Sequence, residues 1–133
     1  MPSLSDSLVI RSILLVEDHD ALASGLMALL TRHGFDVRRA WDGREALQRL
    51  RDESVDLVIM DIFMEGMDGL ETLMQLRKCW RALPVIAVSG GSSKIATGCL
   101  RMAEHLGANH VMQKPLLIAE LIETIHALEH KAA

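Results

Sequence analysis

Five side chains able to do chemistry stand at the downstream ends of apolar runs. Glu17 and Asp18 follow the run 13–16, Asp61 follows 57–60, Ser89 follows 85–88, and Lys114 comes shortly after Val111 and Met112. Three carboxylates packed together repel one another, and at least one resists ionising unless a cation neutralises them. A small hard cation with oxygen ligands is the natural occupant of such a set. Mg²⁺ suits a site of few carboxylates and several waters. A cation together with Lys114 gives positive potential beside Asp61, which a phosphoryl group needs as its charge spreads over the equatorial oxygens during transfer. A carboxylate in that position can act as the nucleophile and form an acyl phosphate. Ser89 can donate a hydrogen bond to a phosphoryl oxygen, and Gly90 and Gly91 let backbone approach the group closely.

These residues meet only if the fold brings the strand ends together. The pattern predicts strands near 13–16, 35–41, 55–60, 85–88 and 111–112, each followed by a helical repeat. Leu22, Leu26, Leu29 and Leu30 share one face of the first helix, which Gly34 stops. Arg38 and Arg39 inside the second strand suggest a sheet edge. Asp42, with Glu45 three residues on, reads as a helix N-cap, and so does Asp68 with Glu71. Ala46, Leu47 and Leu50 then supply an apolar face, and the next helix carries Leu70, Leu73, Met74 and Arg77. Leu100, Ala103 and Leu106 precede a stop at Gly107, and Leu117, Leu121, Ile125 and Leu128 line the last helix. Five βα units with strands apolar on both faces predict an α/β fold with a doubly wound parallel sheet covered by helices on both sides. In such sheets ligands bind outside the carboxyl ends of the strands, where the five side chains fall. Paired strands lie about 4.8 Å apart, so residues ending neighbouring strands can touch a common ligand.

The length of 133 residues fits one domain. A net charge of −4 argues against sequence-independent binding to nucleic acid or acidic membranes. No apolar run approaches the ~20 residues needed to cross a bilayer, and the N-terminus lacks the pattern of a secretory signal. Cys79 and Cys99 have no metal-ligand spacing, so a reduced, cytoplasmic protein is expected. Residues 1–11 read as a loosely ordered tail and 12–133 as the domain.

The chain resembles the receiver (CheY-like) domain of bacterial two-component response regulators, of the stand-alone type. The resemblance rests on Leu14-Leu15-Val16-Glu17-Asp18, Asp61 with Met67-Asp68-Gly69 downstream, Val88-Ser89-Gly90 and Lys114-Pro115, in that order and spacing. It covers nearly everything after the tail. It implies a five-stranded flavodoxin-like sheet of order 2-1-3-4-5 and a cis Lys114–Pro115 bond. It implies that Asp61 is the phosphoacceptor. Glu17, Asp18, Asp61 and the backbone carbonyl of Phe63 would hold Mg²⁺, and Ser89 and Lys114 would contact the phosphoryl group. The donor would be a phosphohistidine on a sensor histidine kinase or a histidine phosphotransfer protein. The outcome would be altered affinity for a partner protein, without turnover of an external substrate.

Several positions depart from the family pattern. Val111 stands three residues before the lysine, where the family usually carries a switch aromatic, so signalling by a rotating ring is not expected. Glu65 replaces a frequent proline. Phe63 and Gly91 occupy positions that tune phosphoryl lifetime in the family, and an apolar ring at 63 suggests slow hydrolysis. His126 and His130, four apart near the C-terminus, read as solvated histidines favoured by the helix dipole rather than as metal ligands. The scattered methionines read as core filling, and Trp41 and Trp80 as residues without a partner role. The helix around 97–106 is where the family often meets partners. No helix-turn-helix or basic extension follows, so DNA binding is not expected. The ends of the chain suggest a single domain acting alone, with a piece of a longer regulator or hybrid kinase as the other reading. The competing functions are a phosphorylation-independent interaction module, a flavodoxin-like cofactor binder and an aspartyl-nucleophile phosphohydrolase. Glu17 and Asp18 have the wrong charge for a flavin phosphate loop.

Overall fold

Strands β1 (Ser12–Val16) and β3 (Leu57–Asp61) are apolar at successive positions, so each must be covered on both faces. In the computed structural model, which describes residues 9–63, 69–90 and 94–131 with side chains through Glu129, that cover is supplied by two separate cores. The period of two along a strand sorts the residues between them. Ile13, Leu15, Leu57, Ile59, Ile86 and Val88 pack with Ala23, Leu30, Leu121, Ile125 and Leu128. Leu14, Val16, Val58, Met60, Val85 and Ala87 pack on the opposite side with Leu47, Leu50, Leu73, Leu76, Leu100 and Ala103.

The remaining strands are β2 (Asp36–Ala40), β4 (Val85–Ser89) and β5 (His110–Gln113). The helices are α1 (Asp20–Arg32), α2 (Gly43–Asp52), α3 (Gly69–Cys79), α4 (Lys94–His105) and α5 (Ile118–Lys131). All strand pairs are parallel and the order is β2-β1-β3-β4-β5, which places the charged strand β2 at an edge as its sequence suggests. Helices α1 and α5 cover one face, and α2, α3 and α4 the other. The chain therefore leaves neighbouring strands β1 and β3 toward opposite faces, and the crevice between their carboxyl ends is the topological switch point.

Local signals behave as their chemistry requires. The Asp42 side chain accepts from Glu45 N at 2.9 Å and caps α2. Glu45 Oε1 in turn accepts from Trp41 N. Helix α1 is capped by His19, whose Nδ1 accepts from Leu22 N at 3.2 Å. Gly34 and Gly107, with φ of 96° and 109°, turn the chain after α1 and α4 in a conformation costly for other residues. Asp68, Met67, Glu65 and Gly91 lie outside the described residues.

Just ahead of β1, Ile10 is buried and its N–H donates to Glu129 Oε2 at 2.8 Å, while the Arg11 and Ser12 N–H groups share Asp56 Oδ2. Expectations for two helix faces and for the methionines change. The buried line of α1 is Ala23 and Leu30, and Leu22 and Leu29 face outward. In α3 the core positions are Thr72, Leu73 and Leu76, whereas Met74 is exposed. Met102 is exposed as well, so core filling does not account for every methionine.

Gly69 begins α3 directly against the strand end that carries Asp61. A Cβ there would collide with the Ile62 backbone and lie 2.7 Å from the Asp61 carbonyl oxygen. Because the obstacle is backbone, Gly69→Ala is expected to lower stability by about 2 kcal/mol, read as a lower urea midpoint with unchanged slope.

Candidate functional site

The carboxyl ends of β1 and β3 deliver Glu17, Asp18 and Asp61 to one place. Each offers a carboxylate oxygen, and these atoms all lie within 4.8 Å of one another. Glu17 and Asp61 are buried, at 4% and 6% exposure. Lys114 arrives from the end of β5, past β4, and joins them. Its Nζ donates to Asp61 Oδ2 at 2.8 Å and to Glu17 Oε1 at 3.0 Å. The remaining oxygens are also engaged: Phe63 N–H donates to Asp61 Oδ1 at 2.9 Å, and His19 N–H to Glu17 Oε2 at 3.2 Å. Asp61 is thus held in one orientation at both oxygens.

Burial pushes the Glu17 carboxyl above its usual range. The hydrogen bond from Lys114 opposes this, and the neighbouring Asp61 charge adds to it. Burial alone would lower the Lys114 ammonium, but hydrogen bonds to Asp61 and Glu17 outweigh it and the net direction is upward. The signs give a pH window. A raised Glu17 favours the folded state at low pH, and that contribution is lost as pH climbs above about 4.5. The Lys114 contribution is intact below 10.5 and lost above. Without divalent cations, the wild-type chain should therefore lose stability relative to Glu17→Gln as pH rises from about 4.5 toward 8, and Mg²⁺ should reduce that loss. Urea midpoints measured in EDTA and in Mg²⁺ check this, and parallel pH profiles in EDTA would contradict it.

Ser89, also expected here, ends β4 one position beyond the Asp61–Val88 pair. It is fully buried, and among the described residues its Oγ makes a long 3.4 Å contact with the Gly90 carbonyl. Its backbone does more: the Ser89 carbonyl accepts from Lys114 N–H at 2.8 Å, tying β4 to the lysine's own segment. The Lys114–Pro115 bond is cis, as the resemblance implies. Phe63 is 45% exposed, so whatever shielding it gives the site is partial. Val111 is half-buried in β5. His126 Nδ1 pairs with Glu129 Oε1 at 2.9 Å on the surface of α5, and the His130 side chain lies outside the described residues.

Two arginines that the sequence marks only as an edge-strand charge and a helix residue organise loops, Arg39 beside the site and Arg77 at the amino ends of β4 and β5. Arg77 of α3 donates to the carbonyls of Gly107, Trp80 and Leu83 and to Asn109 Oδ1, all between 2.7 and 2.9 Å. Arg39 of β2 reaches the Glu17 carbonyl. Trp80 and Leu83 follow Arg77 closely in sequence, but Gly107, Asn109 and, for Arg39, Glu17 are distant, and no short-range spacing signals those contacts.

A cavity of about 270 Å³ opens beside the cluster between α1 and the segment after Lys114, lined by Leu22, Leu26 and Leu29 on one side and Pro115 and Leu116 on the other. Among the described residues, no helix is long and apolar enough to cross a membrane.

Comparison with known proteins places these features together. Residues 13–126 match the family model described as the response regulator receiver domain. The sensory transduction protein RegX3 of Mycolicibacterium smegmatis is 34% identical over 122 residues, covering 92% of this chain and 52% of that protein. The chain therefore spans about half the length of that curated relative. A CheY-like receiver domain protein of Methanospirillum hungatei superposes with a TM-score of 0.83 at 25% identity, covering 93% of this chain and 97% of the other. The receiver domain of Francisella response regulator 1452 superposes with a TM-score of 0.82 at 27% identity, covering 92% and 99%.

Proposed function

Because the chain belongs to the response regulator receiver domain family of two-component systems, we propose that Asp61 is its phosphoacceptor and that phosphorylation changes its affinity for a partner protein. The observation that carries this reading is the convergence on Asp61: two further carboxylates within 4.8 Å and the Lys114 ammonium at 2.8 Å.

The residues present fit a divalent cation. The donors are hard oxygens, their mutual repulsion is only partly met by one lysine, and burial holds Glu17 above its usual range. Glu17, Asp18, Asp61 and the Phe63 carbonyl would hold Mg²⁺. When bound, the ion supplies charge neutralisation for the phosphoryl oxygens.

The chain's own groups then have distinct tasks. Phe63 N–H keeps Asp61 oriented through Oδ1. The Asp61 carboxylate attacks the phosphorus of a phosphohistidine; the new P–O bond forms as the P–N bond breaks, and the imidazole leaves with a proton. Lys114 follows the charge from the carboxylate to a phosphoryl oxygen, and Ser89 offers its hydroxyl to another. Hydrolysis reverses the state when water attacks phosphorus and releases the Asp61 carboxylate. The donor is a histidine kinase or histidine phosphotransfer protein, the class with which this family works, and the setting is the cytoplasm. The domain assists its own phosphorylation and hydrolysis rather than turning over an external metabolite. With valine at 111, the change at Asp61 passes through backbone. Lys114 touches the Asp61 carboxylate with Nζ and the end of β4 with its N–H.

The test is incubation with acetyl phosphate and Mg²⁺ followed by intact mass. A gain of one phosphoryl group that disappears in EDTA supports the reading. No gain, with the chain folded and the metal bound, would overturn it and favour a phosphorylation-independent interaction module.

A further inference from the structure

The two arginines of edge strand β2 face different surroundings. Arg38 is exposed and pairs with Glu53 at 3.2 Å. Arg39, its side chain only 11% exposed, lies on the α1 side and uses its whole fork. Nε and Nη2 both donate to the Glu17 carbonyl, at 3.0 and 2.9 Å, and Nη1 pairs with Asp20 Oδ1 at 2.9 Å. The guanidinium lies 4.2 Å from the centroid of the Trp41 ring, a stacking distance.

The carbonyl it grips is at a critical point. Glu17 N–H makes the last rung from the β1 end to β2, donating to Ala40 O at 3.1 Å, and β2 ends at Ala40. Beyond that rung the ladder stops, and Arg39 takes over the next carbonyl. That carbonyl belongs to the peptide unit joining Glu17 to Asp18. A peptide unit is planar, so fixing its oxygen fixes ψ of residue 17 and φ of residue 18 together. Both acidic side chains of this loop hang from that plane. The second contact, to Asp20, ties the first turn of α1 to the same guanidinium.

We propose that Arg39 is a positioning residue of the acidic site: by clasping the Glu17–Asp18 peptide against Asp20 and Trp41, it sets the two loop carboxylates for a divalent cation. This rests on the Mg²⁺ reading above. Its sign separates it from plain electrostatics. A positive charge near a cation site weakens cation binding, so on charge alone removal of Arg39 would tighten it. A positioning role predicts the reverse, because groups that orient metal ligands typically cost 10–100-fold in affinity when lost.

The test is Mg²⁺ titration of the full chain by calorimetry, with the fold of each variant checked by thermal melting in EDTA. Arg39→Lys keeps the charge and loses the two-pronged clasp, and is expected to bind Mg²⁺ about tenfold more weakly. Arg39→Met is expected to weaken it at least as much, despite the lost positive charge. Arg38→Met removes an exposed positive charge of the same strand that pairs with Glu53 rather than gripping the loop, and is expected to stay within about threefold of wild type. Folded Arg39→Lys with wild-type affinity, or folded Arg39→Met binding more tightly, would overturn the proposal while leaving the Mg²⁺ reading intact. No Mg²⁺ binding by the wild-type chain would overturn both.

Discussion

Asp61→Asn is expected to take up no phosphoryl group under conditions in which the wild-type chain gains one. The exchange is nearly isosteric and acts on chemistry rather than on shape. An amide has no anionic oxygen to attack phosphorus, and an acyl phosphate cannot form on it. The fold should tolerate the change. Asp61 is one of the charges that hold Glu17 above its usual range, so removing it relieves repulsion in a buried cluster. The cost is one charge-assisted hydrogen bond from Lys114, which keeps its other bond to Glu17. Thermal melting should therefore show a folded chain, and intact mass after acetyl phosphate and Mg²⁺ should show no adduct. An adduct of wild-type size on folded Asp61→Asn would move the acceptor to another residue, with Asp18 and Glu17 the nearest carboxylates.

Lys114→Met should produce the second-largest effect, and it should do so twice. In wild type the ammonium bridges two buried carboxylates at 2.8 and 3.0 Å. Methionine keeps the apolar stem and removes the only basic side chain bonded to them among the described residues. Removing one partner of a buried pair costs about 3–5 kcal/mol. The lysine side chain retains 22% of its exposure, so a loss of about 2–3 kcal/mol is expected at neutral pH without metal. Glu17 without its lysine rises further above the usual range. The sign follows: the folded variant binds protons more readily than the unfolded chain, so acidification toward about pH 5 should restore part of the lost stability. Mg²⁺ should restore part of it too. Urea midpoints at both pH values, with and without the ion, check this. Phosphoryl uptake should separately fall by about 10²-fold, the usual cost of losing one donor to developing oxygen charge. A variant with wild-type uptake would mean that Lys114 serves structure alone.

The architecture was legible because its causes are local. Apolar residues at successive strand positions force cover on both faces, and residues 57–60 and 85–88 show this without any knowledge of their partners. Capping chemistry at Asp42 and the glycines at 34 and 107 act within a few residues, so helix starts and stops follow from type and spacing. The faces of α1 and α3 were misread where several aliphatic residues competed for the buried line. Leu22 and Leu29 have the same helical spacing as core residues, and only the position of the sheet decides that Ala23 and Leu30 point inward.

The sequence by itself determined which groups are present at the strand ends and that a parallel sheet would collect them along one edge. A carboxylate, a hydroxyl and an ammonium keep their chemistry wherever they are placed, and strand periodicity is a property of neighbouring residues. Tertiary structure alone decided their distances and their supports: the bridge from Lys114 to two acids, and the grips of Arg39 and Arg77 on distant carbonyls. Those contacts join residues far apart along the chain. A flexible side chain finds such a partner only after several elements have docked, and nothing in the spacing of residue types records where a carbonyl will be left without a rung.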